Sequence, residues 1–164
     1  MYNSVPQQDL MEIYDQIARE ITPQAAGIRL RPGGEGPREE ICTVFILFEK
    51  EFRMALSVCA EKSMFVRTAQ YMMQTEEISR QDIEDVAKEY INVLCGHFAS
   101  RLFRLTKTPA RFSVPAFHEG RRPLEGHRED FVLTYTGDGD EHVQLIHYTP
   151  LEAAPAPLSQ GSAE

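Results

Sequence analysis

The chain is 164 residues long, 42% of them hydrophobic, with 25 acidic against 17 basic side chains and a formal net charge of −8. At this length about two-thirds of the unfolded surface can be buried, so one compact domain is expected over residues 1–150. An isoelectric point near 5.2 argues against nucleic acid and anionic membrane as partners, since neither would gain Lys/Arg attraction to phosphate, and leaves another protein as the expected one.

The opening Met1-Tyr2-Asn3-Ser4-Val5-Pro6 has neither a basic n-region nor an apolar h-region, and no run of about 18 apolar residues follows. A cytoplasmic chain without a spanning helix is the expectation. Ser4 offers an N-cap with Gln7 at the capping-box position, and Leu10, Ile13, Tyr14, Ile17 and Ile21 recur at helical spacing until Pro23, which predicts a first helix over about 5–22. Arg31 to Pro37 carries three glycines and two prolines and reads as a surface loop, with a short strand before it at Ile28 to Leu30. It makes a poor phosphate cradle, because no Lys-Ser/Thr follows and no helix opens from it.

Ile41 to Phe48 is apolar on both faces and β-rich, the pattern of a central strand. Phe52, Met54, Leu56 and Val58 alternate with Arg53, Ala55, Ser57 and Cys59 as its half-buried hairpin partner. Between Glu61 and Gln74 a helix is predicted whose Met64, Phe65, Ala69, Met72 and Met73 are expected in the core, the alternative being that the methionines form an adaptable binding surface. A polar break over Thr75 to Ser79 precedes a long helix over about 80–105, with Ser79 as N-cap and Asp82, Glu84 and Asp85 where the helix dipole favours negative charge.

Strands are expected at Phe112 to Phe117, Asp130 to Thr136 and His142 to Thr149, the last two joined by the polar hairpin Thr136-Gly137-Asp138-Gly139-Asp140-Glu141. That turn lacks the spacing of a calcium loop. The basic stretch His118 to Arg128 reads as a solvated loop, or else as a contact for an acidic partner surface. Leu151 to Glu164 has too few large apolar residues to order itself and reads as a tail. Strands gathered as hairpins predict an α+β fold, with helices packed on a mostly antiparallel sheet.

Cys42, Cys59 and Cys95 lack CxxC spacing and read as buried free thiols. Cys95 and His97 point about 200° apart around their helix, which disfavours a catalytic pair. His142 and His147 are an odd number of residues apart on one strand and face opposite sides, so no metal site is expected from this chain alone.

The long helix carries the functional signal. At 100° per residue Ile83, Ala87, Tyr90, Ile91, Leu94, Phe98 and Leu105 form one apolar stripe, and Asp85, Glu89, Asn92 and Gly96 gather on the opposite side. A solvated face would normally carry Lys, Glu and Gln, whereas Asn and Gly each lower helix propensity by roughly 0.7 to 1 kcal/mol relative to Ala. That face is therefore expected to meet a partner.

Asp85-x-x-x-Glu89-x-x-Asn92, then Gly96 and Phe112-Ser113-Val114-Pro115, resembles the bacterial chemotaxis phosphatases of the CheC, CheX and FliY group, over most of residues 5–149. A single Glu-x-x-Asn brings it closest to the single-site CheX branch; the first helix offers Glu12-Ile13-Tyr14-Asp15 instead. The resemblance implies hydrolysis of the aspartyl phosphate of a CheY-like response-regulator receiver, with Asn92 positioning the attacking water and Glu89 anchoring the receiver. Asp85 and Gly96 would serve partner binding. Mg2+ would belong to the receiver, with no cofactor held by this chain. A homodimer through a sheet edge is a further expectation. The rival reading is a non-catalytic receiver-binding or flagellar-switch module using the same face.

Overall fold

In the computed structural model, which describes residues 5–151, every strand pairing is antiparallel. The elements are helix α1 (Gln7–Ala26), strands β1 (Leu30–Pro32), β2 (Ile41–Glu49) and β3 (Ala55–Glu61), helices α2 (Lys62–Met73) and α3 (Arg80–Thr106), then strands β4 (Arg111–Phe112), β5 (Ala116–Glu119), β6 (His127–Gly137) and β7 (His142–Pro150). The strands form one seven-stranded sheet in the order β1-β6-β7-β3-β2-β4, with β5 also paired to β2. Leu56, Val58, Val143 and Leu145 on one face of that sheet share a core with Tyr14, Phe65, Ile91 and Leu94 from the three helices. The α+β arrangement expected from the clustered strand signals is the one found. Beyond Leu151, the expected tail lies outside the described residues.

Several boundaries differ from expectation for identifiable reasons. Helix α1 is capped by Pro6 without a side-chain hydrogen bond, and Ser4, the expected cap, lies outside the described residues. At its other end α1 runs through Pro23 to Ala26 and stops at Gly27, whose φ is 71°. Pro23 removes one helical hydrogen bond, but the last turn is held by tertiary contact: Ala26 is buried and Thr22 shares a 2.7 Å hydrogen bond with Tyr90. Strand β1 begins two residues later than expected and ends on Pro32, which an edge strand tolerates because no neighbour needs its missing N–H. The single strand expected over Phe112 to Phe117 is two short ones. Pro115 cannot donate to a ladder, and Ser113 fills the break by accepting from the Leu47 N–H at 3.1 Å and donating its own N–H to the Leu47 carbonyl at 2.8 Å.

Strand β3 is buried on both faces rather than half-buried. The cover on its second face is the basic stretch itself: Leu124 packs on Ala55, Cys59, Ile146 and Tyr148. The Arg121 guanidinium donates to the Pro37 carbonyl at 3.1 Å, and the Arg122 N–H donates to Thr43 Oγ1 at 3.2 Å. These bonds hold the segment against the sheet through Leu124, while Arg121, Arg122, Pro123, Glu125, Gly126 and Arg128 stay exposed, as expected of a solvated loop. The acidic hairpin Asp138-Gly139-Asp140 is a turn, as expected, and its charge is met by Arg67, which pairs with Asp138 and with Glu141.

Strand β7 carries a buried titratable group on its helix side. His147 is stacked on Phe131 at 4.8 Å, and its Nδ1 shares a 2.7 Å hydrogen bond with the Tyr14 hydroxyl. Burial pushes the imidazole down from 6.5 to about 4, opposed by the weaker pull of Asp130. The folded value is lower than the unfolded one, so His147 takes up its proton more readily when the chain unfolds. Stability is therefore full above about pH 6.5 and is lost progressively as pH falls toward 4, by about 2 kcal/mol between pH 7 and pH 5 from this residue. Denaturant titrations across that range should show a flatter pH dependence for His147→Gln than for the parent. Equal slopes would mean that other groups govern the acid sensitivity.

Candidate functional site

Helix α3 starts where the sequence places it because a capping box closes it. The Asp82 N–H donates to Ser79 Oγ at 3.1 Å, and the Ser79 N–H donates to Asp82 Oδ2 at 2.9 Å. Two of the orphan donors of the first turn are thereby satisfied. Inward, Ile83, Ala87, Tyr90, Ile91, Leu94 and Phe98 are buried as expected. Leu105, predicted on the same stripe, is instead 51% exposed, because the last turn borders an open groove between the end of α3 and the start of α1. Leu102 supplies the final buried position.

Tyr90 fixes the rotation of the helix. Its hydroxyl bonds Thr22 across the α1–α3 contact, and burial pushes the phenol up to about 12. With Tyr90 held inside, Asp85, Glu89, Asn92 and Gly96 must face outward, and all four are exposed. Glu89 and Asn92 stand one turn apart, about 4.5 Å along the axis. Among the described residues neither side chain has a hydrogen-bonding or ionic partner. Their neighbours are engaged: Gln81 donates to Asp85 at 2.8 Å, and Glu84 pairs with Lys88 at 2.7 Å. A Cβ added at Gly96 would meet nothing within 4 Å. Packing inside the chain therefore does not require glycine there.

The corresponding tetrad of α1 is differently used. Asp15 accepts the Tyr135 hydroxyl at 2.7 Å and pairs with Arg19 at 3.3 Å, so this carboxylate is committed to the fold. Phe112 to Pro115 lies on the sheet edge, where its hydrogen bonds go to β2. The cysteines are buried and unpaired, and burial raises the Cys95 thiol far above its ordinary value. Among the described residues no three His, Cys, Asp or Glu side chains gather as metal ligands, and no helix is long and apolar enough to cross a membrane.

One part of this region escaped the sequence reading. Met64 is buried, but Met72 and Met73, expected in the core, are 37% and 44% exposed, and Tyr71 is 47% exposed. Together with the C-terminal end of α1 and the middle of α3, Tyr71 and Met72 border a groove of about 390 Å³ with Glu89 on its rim.

Comparison with protein families matches residues 42–135 to the family described as chemotaxis phosphatase CheX. No curated protein sequence matches. Among solved structures, the chemotaxis protein CheX from Desulfovibrio desulfuricans is similar at a TM-score of 0.69 and 14% identity, over 85% of this chain and 97% of that one. The CheX–CheY–BeF3–Mg2+ complex from Borrelia burgdorferi is similar at 0.66 and 12%, over 88% and 99%. FliY from Thermotoga maritima is similar at 0.59 and 14%, over 90% and 93%. At these identities the likeness to solved structures is one of fold.

Proposed function

The chain belongs to the CheX chemotaxis phosphatase family, and from that premise we propose that it hydrolyses the aspartyl phosphate of a CheY-like response-regulator receiver. The observation that carries this reading is the pair Glu89 and Asn92, exposed on one helix face without partners among the described residues. In the receiver the phosphoryl group already sits beside a metal and a cation that neutralise charge, so the added protein need only hold water in line with phosphorus. A carboxamide suits that task, since Asn92 offers an acceptor to orient the water and a donor to a phosphoryl oxygen. Attack forms the new O–P bond as the bond to the aspartyl oxygen breaks, releasing phosphate and the free carboxylate. Any Mg2+ belongs to the receiver.

Glu89 is the anchor in this reading: an unpaired carboxylate one turn from Asn92 attracts a cation beside the phosphorylation site and fixes the docked orientation. Asp85, tied to Gln81, adds negative charge at the edge of the contact. Gly96 leaves the helix surface flat where a partner backbone approaches, which accounts for a residue that lowers helix stability by about 1 kcal/mol relative to Ala.

The direct test is the decay of phosphorylated CheY-like receivers from the same genome, with and without this protein. Acceleration is expected for at least one. Binding without acceleration would favour the switch-module reading. Glu89→Ala should weaken receiver binding by about threefold to tenfold at low salt, and the difference should shrink as salt rises, because a rim ion pair is screened over about 8 Å at physiological ionic strength. Unchanged affinity at low salt would remove the anchor role.

A further inference from the structure

The groove beside Glu89 is built like a socket. Buried Tyr90 lies at its base, half-buried Val93 and exposed His97 continue the α3 side, and Tyr71 and Met72 from the last turn of α2 face them. The end of α1 closes it. Tyr71 is held in place although exposed: a Cβ added at Gly27 would stand 2.5 Å from the Tyr71 ring, so the ring lies against the bare backbone of the α1 C-cap. An exposed aromatic with its position already fixed loses little freedom when a partner covers it. Met72 beside it is unbranched and adapts to the shape of what enters.

We propose that this groove receives an apolar side chain of the receiver, next to the cation that pairs with Glu89, and that Tyr71 and Met72 thereby help select which receiver docks. The inference rests on the reading of Glu89 and Asn92 given above. Continuity with that face is the first argument: Glu89, Val93 and His97 form one row at four-residue spacing along the groove, and Glu89 also stands on the crest that carries Asn92. A body seated over Asn92 covers the groove as well. Charge is the second. The lining contains one carboxylate and no Lys or Arg, and Glu89 has no partner among the described residues, so the chemistry that fits is an apolar side chain flanked by a cation. A second copy of this chain fits poorly, because a two-fold contact centred here would bring two unpaired Glu89 carboxylates together with no cation from either lining.

The test measures dissociation constants, and KM against kcat, for the beryllofluoride-loaded and phosphorylated CheY-like receivers of the same genome. Met72→Gln should raise Kd and KM by about threefold to tenfold with kcat at saturation and melting temperature near the parent values. Met72→Leu should restore binding. Met73→Gln, one residue along and outside the groove, should bind like the parent. Parent-like binding by Met72→Gln, or equal weakening by Met73→Gln, would overturn the proposal. Light scattering in which the parent self-associates and Met72→Gln does not would overturn it too, by assigning the groove to a second copy. If the parent binds a receiver but does not accelerate loss of its phosphate, the catalytic reading falls while the Kd comparison still decides the groove. If it binds none of the receivers, both fall.

Discussion

Asn92→Ala should abolish most of the phosphatase activity of a protein that remains folded and still binds its receiver. The side chain is exposed and makes no hydrogen bond with the rest of the described chain, so nothing in the core depends on it. Alanine is the better helix former by roughly 0.7 kcal/mol, and the melting temperature should hold or rise slightly. The proposed work of the carboxamide exists only when water meets phosphorus, so its loss belongs in the rate at saturating receiver and not in affinity. Positioning can supply several kcal/mol of barrier reduction, which sets the expected fall in kcat at about 10-fold to 1000-fold. Stopped-flow decay of phosphorylated receiver, with Kd measured on the beryllofluoride form, separates the two quantities. Near-parent turnover in a well-folded variant would falsify the assignment, and the chain would then be a receiver-binding module that shares the family's shape.

The outward face of Glu89 and Asn92 was legible in the sequence because an acid and an amide do not belong in a core, and Asn92 and Gly96 are poor choices for an ordinary solvated helix face. The apolar period of Ile83, Ala87, Tyr90, Ile91, Leu94 and Phe98 fixes which side of α3 is buried, and the Ser79–Asp82 capping box fixes where the helix starts. Both signals are local, and both hold in the fold. The β2–β3 hairpin was legible for the same reason, with Ile46 opposite Leu56 and Val44 opposite Val58. What failed depends on contacts distant in sequence. Helix α1 passes Pro23 because Thr22 meets Tyr90, and β3 is buried twice because Leu124 closes over it. Exposure of Met72 and Leu105 is set by where neighbouring helices end, which periodicity within one helix cannot report. The groove beside Glu89 was missed on that account: three helices build it, and no single stretch of sequence contains it.

Phe98→Ala should do the reverse of Asn92→Ala. Phe98 lies two turns beyond Ile91 on the buried side of the same helix, its ring 4.7 Å from Tyr14 and 5.5 Å from Phe48. Those two contacts join α3 to α1 and to β2, so the ring sits where the helical layer meets the sheet. Truncation removes its transfer free energy and leaves a cavity bounded by large rings that cannot collapse far, a loss of about 3 to 5 kcal/mol. Against a total of about 5 to 15 kcal/mol for a domain of this size, that is about a fifth or more of the stability, and the melting temperature should fall by about 10 °C. The ring points away from the Glu89–Asn92 face, and Tyr90 still ties the helix to Thr22. The molecules that remain folded well below the midpoint should therefore turn over receiver phosphate at close to the parent kcat. Calorimetry and single-turnover decay on the same sample check both halves. A midpoint within about two degrees of the parent would mean that the ring is not the keystone of the helix–sheet contact. A collapse of kcat in fully folded protein would mean that the outer face depends on the packing beneath it more closely than a rigid helix allows.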